Sequence, residues 1–271
     1  MKILAIARGE EFSPNLVDND AKILAEAADN LRRQGHEVTV ISERELTGVE
    51  RVDAIIQMCR SERSVSLLKQ MEGQGIRIIN SPQGVDNCRR EPLVRCFEQA
   101  GVASPRSLIL ESSEPLPADV PLPCWVKRAD GQTMQKADVS FCRSRADVEA
   151  ALRAFDSRGI RRAVICQHLD GDLIKFYGVE GTDFFYWFYP LEHGHSKFGY
   201  EEINGHSAGI AFDEGRLRQI CSEASRAVNV SVYGGDAIVS PDGTIKIIDF
   251  NDWPSFSPCR EAAGKAISQL L

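Results

Sequence analysis

An α/β amino-terminal region followed by an α+β remainder is the fold class the sequence predicts, and three observations carry it. The first eighty residues alternate apolar strand-like runs with amphipathic helical ones, the pattern of a parallel sheet with crossover helices. Four prolines in the thirteen residues ESSEPLPADVPLP mark a loop between subdomains. Beyond that loop, strand pairs joined by short turns end in the hairpin GGDAIVSPDGTIKIIDFN, where Asp242-Gly243 is a strong turn signal.

In the first region KILAIA, HEVTVIS, DAIIQM and IRIIN read as strands, and AKILAEAADNLRRQ and SVSLLKQMEGQ as helices closed by Gly35 and Gly75. No Gly-x-Gly-x-x-Gly follows the first strand, so the dinucleotide fingerprint is absent. Residues 81 to 101 are expected as one helix, with Pro82 at its start and Gly101 at its end. From Pro123, CWVKR, VSF and AVICQHL are strands around the helix ADVEAALRAFDSRG. IKFYGVEG and TDFFYWFYP form a hairpin pair, a polar loop runs from Glu192 to Gly209, and the helix RLRQICSEASRAV leads into the last hairpin.

With 271 residues, 43% of them hydrophobic, the chain can bury a sizeable core. Its net charge of −7 offers no basic stripe for nucleic acid or an anionic membrane. The eight cysteines show no Cys-x-x-Cys spacing and read as reduced thiols, which points to the cytoplasm. At the amino terminus MKILAIARGEEF has five consecutive apolar residues before Arg8, too short a run for a leader core or a membrane span.

The last hairpin poses a question of charge. With Asp242 and Gly243 as a two-residue turn and Pro241 opposite Thr244, Ile238 meets Ile247 and Asp236 meets Asp249. Like charges directly opposed across strands are destabilising, so something positive is expected between them. Asn251 shares the face of Asp249, and two carboxylates with an amide oxygen are the donor set of Mg²⁺, with Mn²⁺ as an alternative. The competing reading is a solvated hairpin end carrying surface acids.

Other residues fit a phosphate chemistry. Lys127 ends a short strand before the small-residue turn Ala129 to Thr133, which suits a phosphate ligand or a surface lysine. Lys175 lies within the apolar and aromatic run LIKFY, a costly place for a cation that meets no anion, unless it is a strand-edge lysine. His193 and His195 read as exposed loop histidines, and Arg260 follows Trp253-Pro254-Ser255-Phe256 as a candidate pocket residue.

In their order along the chain these stretches resemble the ATP-grasp superfamily, in particular glutathione synthetase-like ligases. Asn80-Ser81-Pro82-Gln83 resembles the entry to the ATP-grasp region, Trp125-Val126-Lys127 the lysine strand at the nucleotide phosphates, and Asp236, Asp249 and Asn251 the metal ligands. The resemblance implies that the backbone of Gln167-His168-Leu169 meets adenine and that Asp172 meets the ribose. It implies units at 1–80 (a pre-ATP-grasp α/β domain), 81–167 and 168–271 (the central and carboxyl-terminal ATP-grasp subdomains). Two departures stand out. Arg89-Arg90-Glu91 occupies the place of a first ATP-contacting lysine, so Arg89 or its neighbour substitutes or the contact is lost, and the turn after Lys127 has one glycine rather than several.

The resemblance implies ATP- and Mg²⁺-dependent ligation of a carboxylate to an amine or thiol, with Lys175 and Arg260 as the catalytic cations and a small molecule or peptide as substrate. A homodimer is left open. Inositol trisphosphate kinases share the fold, and their motifs are similar to Lys175-Phe176-Tyr177-Gly178-Val179 and Ile248 to Pro254, so a small-molecule kinase is the alternative. A nucleotide-binding module without turnover is the third reading. The site residues do not separate a carboxylate from a hydroxyl acceptor.

Overall fold

The computed structural model describes residues 1–13, 17–49, 51–129, 135–193 and 203–271. Strands β1 (Lys2–Ala7), β2 (Glu37–Ser42), β3 (Ala54–Gln57) and β4 (Arg77–Ile79) form a parallel sheet in the order β2-β1-β3-β4. Helices α1 (Val17–Arg33) and α2 (Glu62–Gly73) are the crossovers, and Gly35 and Gly75 follow them at φ +86° and +93°. Strand order reverses between β1 and β3, where α/β sheets usually take their ligand. Here an internal anion fills that crevice: the buried Glu43 carboxylate accepts from the backbone N–H of Gly9 at 2.7 Å, Arg60 at 3.0 Å and Ser61 at 3.1 Å. The missing dinucleotide fingerprint and this occupied crevice agree.

The single helix expected over 81–101 is two, α3 (Pro82–Asn87) and α4 (Arg90–Ala100). Pro92 is the reason. In a continuous helix its ring would strike the carbonyl of Cys88 and it would offer no N–H, whereas a break at the extended Arg89 (ψ 146°) puts it in the first turn of α4. Gly101 closes α4 in the left-handed conformation, as expected.

A strand absent from the sequence reading, β5 (Ser107–Glu111), pairs with β8 (Arg162–Gln167) at the edge of the second sheet. With β6 (Cys124–Arg128) and β7 (Val139–Cys142) the order is β5-β8-β6-β7, all antiparallel. Helix α5 (Arg145–Ser157) begins at a capping box between Ser144 and Asp147 and buries Val148, Leu152 and Phe155 against the sheet.

The third sheet holds β9 (Asp172–Val179), β10 (Phe185–Phe188), β11 (Val232–Val239) and β12 (Ile245–Asp252) in the antiparallel order β10-β9-β11-β12. Helix α6 (Glu214–Val228) packs Leu217, Ile220 and Ala224 on one face, with Ile174, Phe176, Tyr233 and Phe250. The other face shares a core with the first sheet and α1, joined by a second element not foreseen, α7 (Arg260–Ser268), which lies parallel to α1. Gly264 permits that approach, because a Cβ there would fall 2.4 Å from Glu26 Cγ. The side chain of Asn80 brackets Val232, donating to its carbonyl at 2.8 Å and accepting from its N–H at 2.7 Å, and so fixes the end of the first sheet to the start of β11.

The β11–β12 turn is longer than the two residues expected. Ser240 donates to Thr244 at 2.9 Å, Gly243 donates to Ser240 at 2.8 Å, and Gly243 sits at φ +80°, so Pro241-Asp242-Gly243 is a three-residue loop. Val239 therefore faces Ile245 and Ile238 faces Lys246, one residue out of the expected register. A bulge at Ile248 then takes up the extra residue and restores Asp236 opposite Asp249. The acid pair is where the sequence puts it, but Ile247 lies in the α6-facing core and does not share the acidic face.

Candidate active site

Three neighbouring strands carry the charged row. Asp236 on β11 faces Asp249 on β12, and on its other side Asp236 pairs in register with Lys175 on β9. The Lys175 ammonium meets Asp236 Oδ1 at 2.7 Å, and Asn251 Nδ2 donates to Asp249 Oδ2 at 3.1 Å. From the second sheet, Lys127 Nζ reaches the carbonyl of Ile248, the bulge residue, at 3.5 Å. Behind the row lies Arg90, at the first position of α4, donating to the Arg128 carbonyl at 3.2 Å.

This arrangement supplies the positive charge that the opposed acids require. Burial pushes the Asp249 carboxyl up, but the charges of Lys127 and Arg90, the Asn251 hydrogen bond and the more distant Lys175 outweigh it and hold the group below the ordinary carboxylate range. Burial in turn lowers the Arg90 guanidinium, and Asp249 opposes that shift. Tyr177, next but one to Lys175, is driven up to about 12 by burial and stays neutral.

Of the two arginines, the site receives Arg90. Arg89 points the other way, to Asp86 at 3.3 Å and Glu62 at 3.9 Å. The helix break separates their directions, and Pro92 is the sequence signal that would have shown it. Gln167 ends β8 and His168 follows it, their N–H groups donating to the carbonyls of Arg106 at 2.9 Å and Pro123 at 3.0 Å, while the Leu169 carbonyl accepts from Asn204 at 3.0 Å. Asp172 is buried, and its two oxygens accept from the N–H groups of Ala208 and Ile210, each at 2.7 Å. In the structure it clamps the returning segment and is not turned toward a ribose. Arg260 opens α7, donating to Asn19 Oδ1 on the first turn of α1 at 3.2 Å, beside an open depression of about 480 Å³. His195, the His193 side chain and most of the turn after Lys127, from Asp130 to Thr133, lie outside the described residues.

Sequence reasoning also missed the clamp on the segment after β12. Arg8, just past β1, binds Asp20 at 2.9 Å and the Trp253 carbonyl at 3.0 Å, and Arg60, past β3, pairs with the buried Asp252. In the segment that these anchors hold, Trp253 and Phe256 are fully buried at φ +40° and +49°, a left-handed conformation that bulky residues avoid. An arginine within three residues of the end of each of two parallel strands was the available signal.

No family model and no curated protein matches the sequence. Solved structures do. The D-alanine–D-alanine ligase of Bacillus anthracis aligns over all of this chain and 94% of its own, with a TM-score of 0.67 at 15% identity, and has a similar match in its complex with ATP. A RimK-domain ATP-grasp protein of Sphaerobacter thermophilus aligns over 99% of this chain and 98% of its own, with a TM-score of 0.68 at 12% identity. The chain has the ATP-grasp fold. D-alanyl-alanine synthetase A of Vibrio cholerae gives the same picture, over 96% and 91% of the two chains with a TM-score of 0.68 at 12% identity.

Within this fold the stretch just past β8 is built around a neutral histidine. His168 Nδ1 accepts from Trp125 Nε1 at 3.1 Å, and the ring packs on Phe141 with centroids 5.0 Å apart. Burial lowers its pKa, with Asp170 opposing only in part. The unfolded chain therefore takes up the proton first, near pH 6.5, so stability is full above that pH and falls as pH drops toward the lower folded value. Thermal midpoints measured between pH 8 and 5 should show this loss, and His168→Gln, whose amide oxygen still accepts from Trp125, should make it shallower. An equal slope in both would assign the loss to another group.

Proposed function

We propose that the protein is an ATP- and Mg²⁺-dependent ligase that joins a carboxylate to an amine or thiol through an acyl phosphate. The observation that carries this is the row Lys175–Asp236–Asp249 with Lys127 reaching it from the facing sheet. The Asp249 carboxylate, kept ionised by its surroundings, and the Asn251 amide oxygen are hard oxygen donors that fit Mg²⁺, or Mn²⁺ in its place, with the Lys175-paired Asp236 opposite them. When bound, the metal ion would offset charge on the nucleotide phosphates.

The residues divide the work by position. Lys127 and Arg90 set a fixed positive potential at the phosphate end, which is catalysis by preorganised charge. In this reading the stretch at the end of β8, Gln167 to Leu169, meets the adenine. Arg260, with the amino termini of the parallel α1 and α7 beside it, is the cation placed at an anionic group of the acceptor. An acceptor carboxylate oxygen attacks the γ-phosphorus and ADP leaves. The amine or thiol then attacks the acyl carbon, loses its proton, and phosphate departs. The substrate is a small molecule or peptide, and the compartment the cytoplasm, consistent with eight free thiols. Among the described residues no helix is long and apolar enough to cross a membrane.

Hydroxylamine tests the class of reaction. With ATP and a panel of amino acids, short peptides and other carboxylic acids, trapping of a hydroxamate is expected with the correct acid. A stable phosphorylated product with ADP release and no hydroxamate would make the protein a kinase. Neither product with any acceptor would make it a binding module.

A further inference from the structure

We propose that Lys175 is a resident cation standing in for one of two divalent metals, so that the site binds a single metal ion per nucleotide, on Asp249 and Asn251. The inference rests on the ATP-binding reading given above. Two opposed carboxylates have the capacity to hold two divalent ions between protein and phosphates, the usual clamp of two-metal sites. Here one of those carboxylates is already engaged. The Lys175 ammonium lies 2.7 Å from Asp236 Oδ1, held by strand register rather than by a loose side chain, since β9 and β11 pair Lys175 directly with Asp236. Both side chains are largely shielded from water, at 20% and 23% exposure, so the pair is not readily exchanged for hydrated ions. A metal on that oxygen, at about 2.0–2.1 Å, would have to expel the ammonium, and one on Oδ2 of the same carboxylate would stand beside its positive charge.

Among the described residues, Lys175, Lys127 and Arg90 set against Asp236 and Asp249 leave one net positive charge in the row before any metal arrives. A nucleoside triphosphate brings about four negative charges, so one divalent ion leaves about one net negative charge and a second about one net positive. Charge thus admits either count, and the Lys175–Asp236 contact decides between them. Tyr177, held neutral by burial, adds nothing to this balance. Asp249 is the better metal ligand of the two, because its cations stand at a distance while Asn251 orients one oxygen. Asp236 is thereby a positioning residue for Lys175.

Mn²⁺ titration of the full-length protein, followed by the loss of free-ion paramagnetic resonance in the presence of a non-hydrolysable ATP analogue, reads the stoichiometry directly. Wild type should bind one Mn²⁺ per chain and Lys175→Met two, the second recruited by the uncovered acid pair. Asp236→Asn should keep the single ion with its dissociation constant changed by less than about threefold, equivalent to roughly 0.7 kcal/mol, whereas Asp249→Asn should lose it. Circular dichroism checks that each variant is folded, and if Lys175→Met is not, the two aspartate variants decide between them. Two ions in wild type, one in folded Lys175→Met, or a tenfold loss in Asp236→Asn would each overturn the proposal and leave the nucleotide reading standing. Mn²⁺ uptake that does not depend on the nucleotide would overturn both.

Discussion

Asp249→Asn should lower ATP turnover by roughly a thousandfold while the protein remains folded. Asparagine keeps the size of the side chain and its neighbour Asn251, but it removes the negative charge around which Lys127, Arg90 and Lys175 are arranged. Two consequences follow from one change. The metal loses its anionic ligand, and Arg90, half-buried beneath, loses the charge that offsets its desolvation. Breaking a directly contacting buried pair costs about 3–5 kcal/mol, and less is expected here because Asp249 and Arg90 are both only half-buried and share several charges. Urea unfolding should therefore show a loss of about 1–3 kcal/mol with cooperativity retained. Wild-type ADP release in a folded Asp249→Asn protein would remove this residue from the chemistry.

How much of this site was legible follows from where each constraint resides. Asp236 opposite Asp249 came from counting back from a turn, and the count succeeded although the turn was misjudged. A three-residue loop and a bulge at Ile248 cancel, and nothing about an isoleucine inside an apolar strand announces a bulge. Lys175 was marked by its apolar neighbours, which said that it must meet an anion but not which one. That it meets Asp236 depends on the strand order β10-β9-β11-β12, a long-range fact absent from local patterns. The choice between Arg89 and Arg90 stayed open because it turns on the helix break that Pro92 imposes. The resemblance put Asp172 at the ribose, yet the segment at Ala208 and Ile210 returns to take both its oxygens.

The missed elements share a cause. Helix α7 has no side-chain cap at Cys259 and carries Gly264 in its interior, two features that argue against a helix when the chain is read alone. It forms because α1 receives it closely at Glu26 and because Ala263 and Ile267 are buried in the common core. Strand β5 is five residues between Pro105 and the proline-rich loop, too short to stand out without its partner β8.

Gly235→Ala should disturb the same site from the backbone side. An ideal Cβ at Gly235 falls 2.2 Å from the carbonyl oxygen of Asp249 and 2.6 Å from Phe176 Cζ. Neither neighbour can yield cheaply, since Phe176 is fully buried against Phe250 and Tyr233 and the carbonyl belongs to the strand that the bulge at Ile248 has bent. Relief requires β12 to move, and with it the Asp249 side chain and its spacing from Asp236 and Lys127. Overpacking of this kind costs about 3 kcal/mol, a fall of roughly 6 °C or more in thermal midpoint for a chain of this size. Metal-dependent nucleotide binding should weaken by at least about tenfold, equivalent to roughly 1.4 kcal/mol. Gly73→Ala is the matched control: at the exposed end of α2 its Cβ meets nothing within 4 Å, and the helix should gain up to about 1 kcal/mol. If Gly235→Ala unfolds within about 1 kcal/mol of wild type and binds nucleotide normally, the hairpin is pliant enough to absorb a methyl group, and the placement of Asp249 does not depend on the close approach of these two strands.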